Sequence, residues 1–192
     1  VDGGALNLSA GGNVQVIGQV QAGDATIVAT GAFSLADGQG LNAGTVALDA
    51  AAISMGSGSF LNVGSTARLH STGSVTLAGL YVGGPLTVWS DGNLRLAEAA
   101  TVVGAADLHG DLQLQIDAPL TVGGALKLGT AGLLMQQADI YAGSSLTASG
   151  EVLDLSGTLS AVGTLRLHAD GVAAQEANGI VTTRGDLVAD AA

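Results

Sequence analysis

Gly83-Gly84-Pro85-Leu86-Thr87-Val88 returns two repeats later as Gly123-Gly124-Ala125-Leu126-Lys127-Leu128, and an earlier copy stands at Gly3-Gly4-Ala5-Leu6-Asn7-Leu8. Glycine paces the phrase. Gly3, Gly23, Gly44, Gly64, Gly83, Gly104, Gly123, Gly143, Gly163 and Gly185 are separated by 20, 21, 20, 19, 21, 19, 20, 20 and 22 residues. Self-similarity at a period near 20 is the signature of a solenoid in which one small unit is reused nine times.

Within a repeat, apolar and polar residues alternate, as in Thr164-Leu165-Arg166-Leu167-His168-Ala169. Alternation with period 2 reads as half-buried strand. Each run is short and ends at a turn, as at Asp91-Gly92-Asn93, Gly110-Asp111 and Asp170-Gly171. Glycine permits the backbone reversal there, and Asp or Asn bonds to the nearby main chain. Three short strands and their turns use up about twenty residues, so each repeat closes one coil. Coils stacked as parallel strands at about 4.8 Å give a rod of roughly 43 Å. The expected fold is all-β: a parallel β-helix of about nine coils of 19–22 residues with three short strands per coil. Leucine-rich repeats of similar length need a helical or 3₁₀ half in each repeat, and no segment of period 3.6 is found.

The predicted inward columns are aliphatic. Leu6, Leu86, Leu126, Leu146 and Leu165 share one, and Ala43, Val63, Val82, Val103, Val122, Ala142 and Val162 share another. The second column is read as the residue just before each pacing glycine.

Sixteen acidic residues against five basic ones leave a net charge of −11, with no basic cluster. Nucleic acid, heparin-like polymers and anionic lipid are therefore poor partners. There is no Cys, which removes disulfides, thiolate chemistry and Cys-ligated metals. No run of 18 apolar residues exists to span a membrane, and no membrane insertion is expected. The repeat grammar runs from residue 1 to residue 192 without a recognisable cap. The chain is thus expected to be a single β-helical segment of a longer fibre.

Cys-free repeats of this length, written in Gly, Ala, Leu and Val and punctuated by Gly-Gly-x-Leu and Gly-Asp-Leu turns, resemble the central repeat region of filamentous haemagglutinin. More broadly they are similar to the large two-partner-secretion exoproteins of Gram-negative bacteria. The resemblance covers the whole chain. It implies a right-handed helix and a rigid shaft segment of a secreted bacterial surface adhesin, exported through an outer-membrane partner and displayed or released at the cell surface. Arg184-Gly185-Asp186 sharpens the likeness, because filamentous haemagglutinin carries an Arg-Gly-Asp sequence proposed to engage host integrins. Gly-Asp also stands at Gly23-Asp24 and Gly110-Asp111, so the same tripeptide reads equally as turn chemistry. An Arg184 in the inward slot before the glycine would be costly, so the register is expected to slip there or the side chain to swing outward.

Aligning the strand after each pacing glycine places Arg68, Thr87, Asp107, Lys127, Thr147 and Arg166 in one outward column and His70, Trp89, His109, Gly129, Ser149 and His168 in the next. His70, Trp89 and His109 come from consecutive coils. They form either a shallow amphipathic patch for a sugar ring or a stack that only strengthens the sheet. Asn42 and Asn62 align as a side-chain amide ladder, with Tyr81 and Tyr141 further along the same column.

An enzyme is not expected. Asp91 and Asp111 occupy similar turns one coil apart, an arrangement weighed here as a pair of glycosidase carboxylates. No repeat exceeds 22 residues, however, so no inserted loop is available to wall a cleft. His109 lies two coils from His70 and three from His168, too far to share a metal ion, and neither a metal nor a cofactor is expected. The expected partners are host cell-surface glycans or integrin-type receptors, together with the secretion partner. Two alternatives stay open: the stalk of a contact-dependent toxin exoprotein, and a polysaccharide-degrading β-helix.

Overall fold

The computed structural model describes residues 3–175 and 179–191; Val1 and Ala192 lie outside the described residues. The chain is all-β, with no helix among these residues, and every strand pairing is parallel to the equivalent strand one repeat away. It is a β-solenoid of about nine turns.

Each coil contributes to three sheets. The first is the longest ladder: Leu6 pairs with Ala25, then Val46, Ala67, Leu86, Ala106, Leu126, Leu146, Leu165 and Leu187. The second runs from Val14 through Phe33, Ile53, Val75, Leu94, Leu114, Leu134 and Leu153 to Ala173. The third runs from Ala22 through Ala43, Val63, Val82, Val102, Val122, Ala142 and Ala161 to Thr183. Alternation drives this closure: Leu86, Val88 and Ser90 are buried while Thr87 and Trp89 face out. All three sheets therefore turn one side inward onto a single aliphatic column, where Val63, Val88, Leu114, Val122, Leu128 and Leu146 have no accessible surface. Each fully buried aliphatic contributes about 1.5–3 kcal/mol, which stands in for the absent disulfides.

Hydroxyl groups rivet the corner between the first and second sheets. Ser90 Oγ donates to Gly73 O of the preceding coil at 2.6 Å and accepts from Gly92 N–H of its own turn at 3.3 Å. Ser71 and Thr130 repeat the arrangement. Such local side-chain bonding satisfies turn amides that the ladder leaves over.

The register corrects one inward column. Val102 and Ala161, not Val103 and Val162, continue the third sheet's core, and Val103 and Val162 are 52% and 37% exposed. The pacing glycine is not one structural position. Gly83, Gly123 and Gly143 stand on the first residue of the corner, where their coil-mates are Val103, Val162 and Arg184. Gly104, Gly163 and Gly185 stand on the second. A one-residue offset exchanges inside for outside, which is why the slip matters.

Candidate functional site

The slip resolves the Arg184 question. Thr183 takes the inward place opposite Ala161, so Arg184 falls at the corner and is exposed, as are Gly185 and Asp186. The backbone of this tripeptide is tied down on both sides. Arg184 N–H donates to Ala161 O at 3.3 Å, Gly185 N–H donates to Thr183 Oγ1 at 3.1 Å, and Asp186 O accepts from Leu165 N–H at 2.9 Å. Thr183 Oγ1 in turn donates to Gly163 O. The tripeptide is a hydrogen-bonded bend at the corner, and all three of its residues are exposed.

The two outward columns of the first sheet stand as the alternation predicts. Arg68, Thr87, Asp107, Lys127, Thr147 and Arg166 share one, and His70, Trp89, His109, Gly129, Ser149 and His168 share the other. Of the remaining basic residues, Arg95 lies on the second sheet, bonded to Asp117 at 2.6 Å, and Arg184 lies at the corner just described.

Within the second column the structure brings together two of the three rings. Trp89 and His109 stack with centroids 3.9 Å apart and planes inclined by 20°. Gly129, the next residue in the column, leaves the room: a Cβ there would stand 2.9 Å from His109 Nδ1. His70 turns instead to Asp49 of the preceding coil, Nδ1 to Oδ1 at 3.1 Å. The stack is pinned from below, with Trp89 Nε1–H donating to Asp91 at 3.1 Å and His109 Nε2 lying 2.7 Å from Asp111. These are the two carboxylates weighed above as an acid–base pair. Here each is bonded to a ring of its own coil.

His168 has a carboxylate at both ring nitrogens. Nε2 lies 3.0 Å from Asp170 and Nδ1 lies 3.2 Å from Asp190 of the following coil. A neutral imidazole donates from only one nitrogen, so the bracket favours the doubly protonated ring. Hydrogen bonding to Asp190, with its charge and then Asp170, raises the pKa of His168 above its ordinary value. Sequence reasoning missed this pairing although part of it is local: Asp111 and Asp170 each stand two residues after their histidine, as Asp91 stands after Trp89, while Asp49 and Asp190 reach across from a neighbouring coil. Among the described residues, no group of three or more His, Cys, Asp or Glu side chains is placed to hold a metal ion.

On the third sheet Asn62 Nδ2 donates to Asn42 Oδ1 at 3.0 Å, forming the amide ladder, and Tyr81 and Tyr141 are exposed further along that row.

No protein-family model, curated protein or solved structure matches this chain. The surface itself must supply the functional argument. It consists of regular rows of side chains on three flat sides, broken by shallow grooves.

Proposed function

We propose that this chain is a rigid shaft segment of a large secreted bacterial surface adhesin of the filamentous-haemagglutinin, two-partner-secretion kind. The observation that carries the reading is the unbroken first-sheet ladder from Leu6 to Leu187, which makes the molecule a stiff column acting through length and lateral surface. Repeat architectures of this sort use extended sides for contact. The cell-surface location, the outer-membrane export partner and the non-enzymatic role belong to the same proposal. Host contact would be made by exposed side chains: Arg184 and Asp186 toward an integrin-type receptor, and the Trp89 side of the first sheet toward glycans.

The test is attachment of the purified chain to host cells, compared with its Asp186→Glu variant, which keeps the charge and moves it outward by one methylene. Loss of attachment in the variant supports integrin-type recognition; undiminished attachment removes that claim and leaves the glycan route. A chain that attaches to nothing would support the toxin-stalk alternative, for which the pairing of the first-sheet ionisable groups with one another is the favouring observation. Depolymerisation of a polysaccharide would overturn the shaft reading.

A further inference from the structure

The outermost row of the first sheet, just before the first inward residue, changes character midway along the rod. It reads Thr45, Thr66, Pro85, Ala105, Ala125, Ser145 and Thr164 in successive coils. Where the row becomes Pro85, Ala105 and Ala125, it lines a groove of about 490 Å³ across four coils. Its direction is fixed by its lining: one short segment from each successive coil, so it runs parallel to the rod axis. The neighbouring row supplies its polar wall, Thr87, Asp107, Lys127 and Thr147, with Lys127 Nζ 3.6 Å from Asp107 Oδ2.

We propose that this strip is a binding subsite for a linear, neutral glycan lying along the rod, one sugar unit per coil. The inference rests on the reading above that the lateral surface contacts glycans, and it assigns the ligand class and the place. An apolar floor beside a few aligned polar groups is the usual make-up of a small-molecule site. The C–H face of a sugar rests on Pro85, Ala105 and Ala125, while its hydroxyls meet a donor and acceptor row that repeats at the coil spacing of about 4.8 Å, close to the length of one pyranose. Charge selects neutrality: Lys127 is already matched by Asp107, and the net charge of −11 repels polyanions.

Other occupants fit less well. An added peptide strand needs a free sheet edge, and on this side the strand amides and carbonyls are used by the coil-to-coil ladder. The Trp89 ring offers a poorer platform, since His109 covers one face at 3.9 Å and Asp91 takes its N–H.

The experiment is an NMR titration of the intact chain with β-1,4-linked glucose oligomers from the dimer to the hexamer, following the Ala105 and Ala125 methyl signals. Affinity is expected to rise with each unit up to the tetramer and then level off, because the strip spans four coils. Ala125→Gln, which fills the floor, should weaken tetramer binding by about tenfold or more through steric exclusion. Thr121→Gln, which places the same side chain at an exposed position on the third sheet, should bind as the parent does and controls for folding.

Affinity independent of oligomer length, or binding lost on Trp89→Ala but kept on Ala125→Gln, overturns the inference. So does an unaltered chain that ignores every oligomer. Host-cell attachment is scored separately. If attachment persists without oligomer binding, the inference alone falls; if attachment is absent, the adhesin reading falls.

Discussion

Replacing Gly143 by alanine probes the stacking of coils more directly than any core substitution. A Cβ on Gly143 would land on the carbonyl of Gly123 in the preceding coil, 2.9 Å from its carbon and nearer still to its oxygen. That is at least about 0.6 Å short of ordinary carbon–carbon contact. Both partners are backbone, and Gly143 N–H is itself held 2.7 Å from Val122 O, so no flexible side chain can yield. The coils that carry a side chain at this step, with Val103, Val162 and Arg184, are each followed by a glycine, whereas Gly143 is followed by Ser144. The same relief is therefore closed to it.

Overpacking of this sort costs about 2–3 kcal/mol. Gly64 occupies the same step, yet a Cβ there meets nothing nearer than 3.8 Å, and its φ is not positive. Gly64→Ala should stabilise by about 0.4–1 kcal/mol by restricting the unfolded chain. The two variants should thus differ by about 3 kcal/mol in urea unfolding followed by far-UV circular dichroism. Hydrogen exchange should accelerate first at Ile140–Ala142, since each coil is held only by its neighbours. Equal urea midpoints for Gly143→Ala and Gly64→Ala would refute the reasoning.

Leu128, without accessible surface between Leu108 and Ala148, should lose about 3–4 kcal/mol on truncation to alanine, while Leu112→Ala at a 66% exposed corner should stay within about 0.5 kcal/mol; thermal melts decide. Trp89→Ala removes the stack on His109 and should lower stability by about 0.5–1.5 kcal/mol without changing the far-UV spectrum; a full collapse would give the ring a larger structural role than its exposed position allows. For His168 the folded-state pKa is raised, so its contribution is complete below the unfolded value and is lost as pH rises through the folded one. The ring is open to solvent and the effect is small. Its titration, read from the ring proton shift, should move down toward the ordinary value in Asp190→Asn, and an unmoved titration would remove the bracket.

How much was legible from residues alone differs from element to element. The period follows from the spacing of the glycines, and the three short strands per coil and the outward rows through Arg68 and His70 follow from alternation, which is local: each residue's side of the sheet depends on its immediate neighbours. The RGD placement was half legible. A polar Arg184 in an aliphatic column signalled a fault, but only the pairing of Ala161 with Thr183 locates it. Gln136 gave no such signal. It stands in the core column between Ile116 and Leu155, fully buried, with Nε2 donating to Ala138 O and Thr158 O and Oε1 unpaired. An alternation read with Gln as surface would have turned it outward.

The amino-acid order by itself determined that the chain winds into stacked parallel coils, because a twenty-residue rhythm of alternating aliphatics has no other way to bury them all. Tertiary structure alone decided which glycine step sits at each corner, that Trp89 lies against His109, that His70 meets Asp49 and His168 meets Asp190, and that Pro85, Ala105 and Ala125 line one groove. The physical reason is that these contacts cross between coils. Their register is set by coil lengths that vary between 19 and 22 residues, and a single residue of drift changes which side chains face one another.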